Sequence, residues 1–327
     1  MRRLMISVAS VILAFSLSAL AFAAPGEAFI DPEQAGPDFK IQGEYEGTIG
    51  EKLKFGAQVV ALGDGKFDVV LLQKGLPGGP KDAAWDGKTR VTLKGETKDG
   101  AVEFTGTNFK GTIKEGVISG TAEDNVKYTG KKVERKSETL GAKPPEGAIV
   151  LFDGKNVDAW QNGKLVEGGL LGVGTRTKQK FEDFTLHIEF RTPFMPKARG
   201  QGRGNSGMYL VDQYECQILD SFGLTGENNE CGGIYTVAKP IVNMCFPPLS
   251  WQTYDVEFRC ARFDANGKKT EDAVTTIKHN GVVIHNKLTL KATPGGGQNE
   301  EKPGALYFQD HGNPVHFRNV WIVENKK

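Results

Sequence analysis

The sequence predicts an all-β protein, in which a two-sheet sandwich or jelly roll is preceded by a small all-β domain. Glycine accounts for 42 of the 327 residues, well above the usual ~7%, which favours short strands joined by tight turns. Apolar and polar residues alternate along most of the chain, as in half-buried strands. Asp-Gly and Asn-Gly pairs separate these runs and are typical of hairpins.

Composition narrows the class of protein. The length suggests about two domains, and 39% hydrophobic with 25% charged residues is enough to build cores. The 41 basic and 40 acidic residues give a net charge of +1. Nucleic-acid binders usually carry a basic face, so this balance argues against that class.

The N-terminus has the pattern of a secretory signal peptide. Arg2 and Arg3 precede the apolar run Leu4–Phe22, and Ala21-Phe22-Ala23 supplies an A-x-A cleavage pattern. We therefore expect a signal peptide over residues 1–23 and a secreted, periplasmic or cell-envelope protein with no membrane span after cleavage. The alternative is an uncleaved membrane anchor, because the run is almost long enough to span.

The mature chain divides into four predicted segments. Residues 24–40 are expected to form an extended lead, and residues 41–132 a small β accessory domain with hairpin turns. Residues 133–147 carry a charge run and Pro144-Pro145, which predict a linker, or alternatively a short edge strand followed by a loop. Residues 148–327 form the second all-β domain, in which no segment has a capped helical pattern.

Alternation is strictest in this second domain. Phe184–Arg191 places Leu186, Ile188 and Phe190 on one strand face and polar residues on the other. Asn280-Gly281 is a strong hairpin signal between two further runs. About a dozen short strands over ~180 residues predict a two-sheet sandwich or jelly roll.

An ordered set of motifs runs from about residue 147 to residue 325. They are Leu151-Phe-Asp-Gly-Lys155 with Trp160, Phe181-Glu-Asp-Phe184 leading into Glu189-Phe-Arg191, Asn205-Ser-Gly-Met-Tyr209, Tyr214-Glu-Cys-Gln-Ile-Leu-Asp220, Gly233-Ile-Tyr235, Trp251-Gln-Thr-Tyr254 and Phe317-Arg-Asn-Val320. In this order they resemble the 3-keto-disaccharide hydrolase domain, formerly a domain of unknown function. The resemblance implies a concanavalin A-like jelly-roll fold.

The resemblance also implies action on carbohydrates whose C3 hydroxyl has been oxidised to a ketone. A C3 ketone acidifies the C2 proton, so that a base can remove it and the C1 substituent can leave. Addition of water makes the result a net hydrolysis. Without it the enzyme is an eliminating lyase. A non-catalytic, lectin-like carbohydrate-binding module is the alternative, because fold does not decide function.

Three residues are the candidate catalytic groups. Glu215 and Asp220 lie on or just after a predicted strand, and His311 follows another. An acid on the exposed strand face can act as a base, and His titrates near neutral pH. The alternative interpretations are a polar solvent face for the strand and a surface His beside a turn.

Five further residues are candidates for substrate binding. They are Arg191, Asn205, Gln217, Tyr235 and Gln309. Arg191 offers a bidentate donor, the amides suit sugar hydroxyls, and Tyr235 offers a stacking ring. A cross-strand ion pair explains Arg191 almost as well, and turn or core roles explain Asn205 and Tyr235.

Two questions stay open. His187, Glu189, Glu215, Asp220 and His311 have the ligand chemistry for a divalent metal, although nothing in their spacing demands one. No other cofactor is implied.

The four cysteines, Cys216, Cys231, Cys245 and Cys260, allow three pairings. Cys231 and Cys245 lie in turn-rich sequence, which favours a disulfide between them. Cys216 and Cys260 fall in strand patterns and are interpreted as buried thiols.

Overall fold

Residues 27–297, 299–301 and 303–325 are described by the computed structural model, and the predicted signal peptide of residues 1–23 lies outside them. Antiparallel β-structure dominates this part of the chain, as the sequence predicts. Helices are short: α1 (Gly36–Ile41) and the 3₁₀ turns Pro32–Gln34, Glu123–Asn125 and Gly200–Gly202. No helix within these ranges is long and apolar enough to cross a membrane.

The first unit is a closed eight-stranded barrel in which strands pair in sequence order and the last strand pairs with the first. Its strands are β1 (Gly43–Ile49), β2 (Leu53–Gly63), β3 (Lys66–Gln73), β4 (Arg90–Lys98), β5 (Ala101–Thr105), β6 (Lys110–Lys114), β7 (Val117–Thr121) and β8 (Lys127–Val133). Alternate residues such as Phe55, Phe67, Val69 and Phe104 are buried in its interior, because side chains of a strand alternate between faces.

Helix α1 lies at one end of this barrel. Phe39 and Ile41 pack against the barrel core, and the Oδ2 of Asp38 accepts a hydrogen bond from the backbone N–H of Gly65 in the β2–β3 turn. Pro37 falls at the start of the helix, where its missing N–H costs nothing. The expectation of an extended lead over residues 24–40 is therefore wrong for residues 36–40, which are helical.

The second unit is a jelly-roll-like sandwich of two antiparallel sheets. Its strands are β9 (Ile149–Phe152), β10 (Trp160–Gln161), β11 (Leu165–Val166), β12 (Leu170–Leu171), β13 (Thr175–Thr177), β14 (Phe184–Arg191), β15 (Ser206–Leu210), β16 (Tyr214–Ile218), β17 (Gln252–Arg259), β18 (Arg262–Phe263), β19 (Lys269–Glu271), β20 (Val274–His279), β21 (Val282–Thr289), β22 (Tyr307–Phe308) and β23 (His316–Glu324). The smaller sheet has the order β10-β13-β22-β15-β16, and the larger one runs β11-β12-β23-β14-β17-β20-β21, with β9 also on β23.

The two sheets bury their facing side chains in a common core. Ile188 and Phe190 of the larger sheet and Met208 of the smaller one are fully buried there. The ring of Phe308 in β22 stacks on that of Phe317 in β23 with centroids 3.9 Å apart. This arrangement leaves the outer face of each sheet for other contacts.

The predicted linker is packed rather than free. Arg135 forms an ion pair with the buried Glu44 of the barrel. Further along, the Thr139 hydroxyl donates to Asp255 at 2.6 Å, and the N–H of Gly141 donates to Glu189 at 2.6 Å. Residues 135–142 therefore cover part of the outer face of the larger sheet.

The predicted disulfide between Cys231 and Cys245 is absent, and both residues are buried thiols. The Sγ of Cys231 lies 3.3 Å from the hydroxyl of Tyr254, and Cys245 also belongs to the sandwich core. The disulfide was predicted because both cysteines lie in turn-rich sequence. In the structure both thiols belong to the core and act as small apolar fillers, the role predicted for Cys216 and Cys260.

Candidate active site

The outer face of the smaller sheet gathers most of the predicted site residues. Strand β15 lies between β22 and β16, so that Tyr209 faces Glu215 on one side and Tyr307 on the other. Gly207 pairs with Gln217 in the same ladder. Because alternate residues share a face, these side chains point away from the core that their neighbours fill.

Gly207 leaves room for the side chain of Glu215 on this face. A Cβ built at this position would lie 2.3 Å from Oε1 of Glu215. The backbone there has an ordinary strand conformation, since Gly207 is not among the residues with positive φ. Glycine is therefore required for room beside the carboxyl group and not for its backbone freedom.

Glu215 is the most perturbed acid of the face. Its side chain is only 3% exposed, and the hydroxyl of Tyr209 donates a hydrogen bond to Oε2 at 2.8 Å. Burial raises the pKa of Glu215 to about 7, and the Tyr209 hydrogen bond only partly opposes this rise. A carboxyl group with such a pKa exchanges its proton near neutral pH.

Three amide side chains lie together beside Gly207, which pairs with Gln217. The Oε1 of Gln201 accepts hydrogen bonds from the amides of Gln217 at 3.1 Å and Asn205 at 3.2 Å. Within the described ranges, Oε1 of Gln217 and Oδ1 of Asn205 are buried and have no hydrogen-bond partner. Buried polar atoms are nearly always paired, so these two oxygens are acceptors available to a ligand.

Three other predicted residues border the face. The backbone N–H of Tyr235 donates to the carbonyl of Glu215, and that of Gln309 donates to the carbonyl of Gly207. His311 is half-buried. It lies two residues before Asn313, whose Oδ1 accepts a hydrogen bond from the backbone N–H of Asn205.

Sequence reasoning missed several members of the site. Tyr209, Gly207 and Gln201 are not among the site residues that the sequence predicts. The guanidinium of Arg176 also lies over the ring of Tyr307, 4.8 Å from its centroid. Tyr209 and Gly207 have the same parity as Asn205, which is the one signal that could have placed them on this face.

Asp220 lies in a buried ion pair. Its Oδ2 accepts a hydrogen bond from Nε of Arg203 at 2.6 Å, and both side chains are buried. Arg203 also donates to the carbonyl of Ala61 in the barrel. Asp220 therefore belongs to an ion pair that joins the sandwich to the barrel.

Arg191 lies on the other sheet. It occupies the outer face of β14, where its guanidinium is 5.1 Å from the ring centroid of Trp251 and donates to the carbonyl of Ile30. The core of the sandwich separates this face from Glu215. The expectation that Arg191 binds the same substrate as Glu215 is not supported by this placement.

The five residues considered as metal ligands are also divided between the sheets. His187 is buried on the same strand as Arg191, with Nδ1 2.6 Å from Asp255 and Nε2 3.6 Å from Glu189. Burial opposes a charge on His187, but these two carboxylates outweigh it and raise its pKa. Across the described residues, no group of three or more His, Cys, Asp or Glu side chains is placed to hold a metal ion.

Residues 147–323 match the model of one protein family, the 3-keto-α-glucoside-1,2-lyase-like domain. Three solved structures of candidate glycosyl hydrolases from Parabacteroides distasonis ATCC 8503 are also similar to the chain. One is 33% identical, with a TM-score of 0.48 over 55% of this chain and 85% of that one. The others are 21% and 18% identical, with TM-scores of 0.41 and 0.39, over 59% and 54% of this chain and 99% of each of theirs. No curated protein matches the chain.

Proposed function

Since the chain belongs to the family of 3-keto-α-glucoside-1,2-lyase-like domains, we propose that it cleaves the glycosidic bond of 3-keto glycosides with Glu215 as general base. The observation that carries this proposal is the buried Glu215 carboxyl group, with its pKa raised to about 7, packed against Gly207. A general base is most effective when its pKa lies near the operating pH.

The reaction begins at C2 of the oxidised sugar. Oε1 of Glu215, which lies against Gly207, takes the C2 proton, and the C–H electrons form an enolate with the C3 carbonyl. When the carbonyl re-forms, a C1–C2 double bond forms and the C1–O bond breaks. The leaving oxygen takes a proton, and addition of water across the double bond completes a net hydrolysis.

Tyr209 positions the base. Its hydroxyl holds Oε2 of Glu215 at 2.8 Å, which leaves Oε1 directed at the substrate. The amide of Gln309 lies 3.4 Å from the same hydroxyl. These contacts fix the rotamer of the carboxyl group, and a fixed base avoids the cost of reorientation during proton transfer.

The remaining polar groups bind the sugar. The unpaired amide oxygens of Asn205 and Gln217 accept hydrogen bonds from its hydroxyl groups. The half-buried rings of Tyr235 and Tyr307 offer apolar faces to the pyranose ring. His311 is the proton donor to the leaving oxygen in this proposal, because Asp220 is held by Arg203.

The test is turnover of 3-keto-trehalose and of unoxidised trehalose by the mature chain, followed as glucose release. We expect release from the keto sugar alone. Glu215→Gln keeps the shape of the side chain and should lower the rate by about 10²–10⁴-fold, whereas Glu257→Gln, on an exposed site of the other sheet, should not change it. Turnover retained by Glu215→Gln would refute the assignment of the base.

The same experiment separates an enzyme from a lectin-like module. Calorimetry with the keto sugar should detect binding by Glu215→Gln without turnover. If the wild-type chain binds glycans but releases no glucose from a panel of 3-keto glycosides, the enzyme proposal fails and the carbohydrate-binding module is favoured.

A further inference from the structure

The two ends of the barrel differ. Helix α1 packs against one end, where Phe39 and Ile41 contact the barrel core. The opposite end contains a cavity of about 700 Å³. It is formed by the ends of β1 and β3, the starts of β2 and β4, the β3–β4 loop, and Phe109 and Tyr128. Its lining includes Ile49, Leu53, Phe55, Leu71, Val91, Phe109 and Tyr128.

Apolar residues that point inward are uncovered at this end. Leu53 has the same parity as Phe55 and Ala57, which are buried in the barrel, but Leu53 is 69% exposed. Val91 shares a face with the buried Leu93 and is 38% exposed. Alternation assigns both residues to the interior, so the interior is left unfilled where they lie.

Aromatic rings form the inner wall of the cavity. Tyr128 makes edge contacts with Phe55 and Phe109, with ring centroids 5.6 Å and 6.3 Å apart. Eight-stranded barrels are wide enough to hold one small ligand. The volume is also within the ~300–1,000 Å³ range of small-molecule pockets.

The rim of the cavity is positively charged. Lys52, Lys54, Lys74, Lys81 and Arg90 line it, together with a single acid, Asp82. Asp82 pairs with Lys54 at 2.9 Å. Among the described residues, no carboxylate lies within ion-pair distance of Lys52, Lys74 or Lys81. The rim therefore keeps an excess of positive charge.

We propose that this open end of the barrel binds a single-chain anionic amphiphile, such as a fatty carboxylate. The alkyl chain enters the apolar cavity between Leu53, Val91 and Tyr128, and the carboxylate lies among the lysines of the rim. The site is built from barrel residues outside residues 147–323. It therefore does not depend on the proposed sugar chemistry.

Calorimetry with the mature chain tests the proposal directly. Dodecanoate, below its micellar range, is expected to bind with a stoichiometry of one. Acetate has the charge without the chain, and dodecyltrimethylammonium has the chain with the opposite charge. Both should bind at least about tenfold more weakly, because each lacks one of the two complementary features. Equal binding of dodecanoate and dodecyltrimethylammonium would overturn the proposal.

Paired variants locate the site. Leu53→Glu puts a carboxylate in the opening at an exposed position and should weaken dodecanoate binding at least about tenfold. Val117→Glu alters a residue that is 38% exposed outside the cavity and should have no effect. Equal losses in both variants would argue against this site.

A second pair of variants tests the charge. Lys52→Gln with Lys81→Gln should weaken binding by about fivefold to tenfold, as expected for two exposed charge pairs. Lys66→Gln with Lys114→Gln, outside the cavity, is the control. A membrane is the competing partner. Flotation with phosphatidylglycerol vesicles, in the absence of dodecanoate binding, would show that the opening docks on a lipid surface and would overturn the proposal.

Discussion

Replacing Gly207 by alanine tests the candidate active site with a single methyl group. The added Cβ would lie 2.3 Å from Oε1 of Glu215 and 3.0 Å from both its Cδ and Cγ. Favourable contact between non-bonded heavy atoms begins near ~3.5 Å. The carboxyl group of Glu215 must therefore retreat by about 1 Å, which also disturbs its hydrogen bond from Tyr209.

A displacement of this size should be costly for catalysis and nearly harmless for folding. Misplacement of a reacting group by ~1 Å lowers rates about 100-fold, which corresponds to about 2.7 kcal/mol. Alanine is slightly better than glycine inside a strand, which offsets part of the steric cost. We therefore expect kcat/KM for 3-keto-trehalose to fall about 100-fold while Tm changes by only a few degrees.

The control is Gly202→Ala, next to Gln201 in the chain. A Cβ there meets nothing within 4 Å, and the backbone has no positive φ, so kcat/KM should be unchanged. A double variant adds Glu215→Asp, whose shorter side chain makes room for the methyl group. It should be no slower than Glu215→Asp alone. Full activity of Gly207→Ala, or strict additivity in the double variant, would refute the steric argument.

Three further predictions follow from the contacts of buried groups. Since the pKa of Glu215 is raised to about 7, kcat/KM should rise with pH through about 7 as the base loses its proton. The free energy of unfolding should change in the opposite direction and fall as pH rises. Protonated Glu215 stabilises the folded state fully below about pH 4.5, and this contribution, about 3 kcal/mol, is lost as pH rises through 7. Urea unfolding at pH 5 and 8 should show the loss in the wild-type chain and not in Glu215→Gln. Arg203→Met should lower the free energy of unfolding by about 3–5 kcal/mol, because it leaves Asp220 buried without its partner. Urea unfolding measures this loss. The double variant Arg203→Met with Asp220→Asn is the control and should lose less, since it removes both members of the pair. Thiol titration should find all four cysteines in denaturant and none in the native chain, whereas a bridge between Cys231 and Cys245 would leave two.

The all-β architecture could be predicted because it depends on local alternation. The strict alternation of Phe184–Arg191 becomes a central strand of the larger sheet, as expected. Closure of the barrel could not be predicted in the same way. It depends on pairing between β1 and β8, such as Glu44 with Val133, and no local pattern encodes which distant strands meet.

The same distinction between local and long-range information applies to the candidate site. Residues two apart on one strand, such as Glu215 and Gln217, or Gly207 and Tyr209, were bound to share a face. Asp220 follows the end of β16 at Ile218, so strand parity no longer applies to it. Arg191 has the correct parity on its own strand, but alternation does not say to which sheet that strand belongs.

The contrast between Glu215 and Asp220 shows that their surroundings, and not the residue type, assign their roles. Both are buried carboxylic acids five positions apart in the chain. Asp220 faces the guanidinium of Arg203 at 2.6 Å, which compensates for its buried negative charge. Among the described residues, Glu215 receives one side-chain hydrogen bond, from a neutral hydroxyl, and forms no ion pair, so burial holds its proton until about pH 7. A cation placed beside Glu215 would lower its pKa and make it a weaker base near neutral pH.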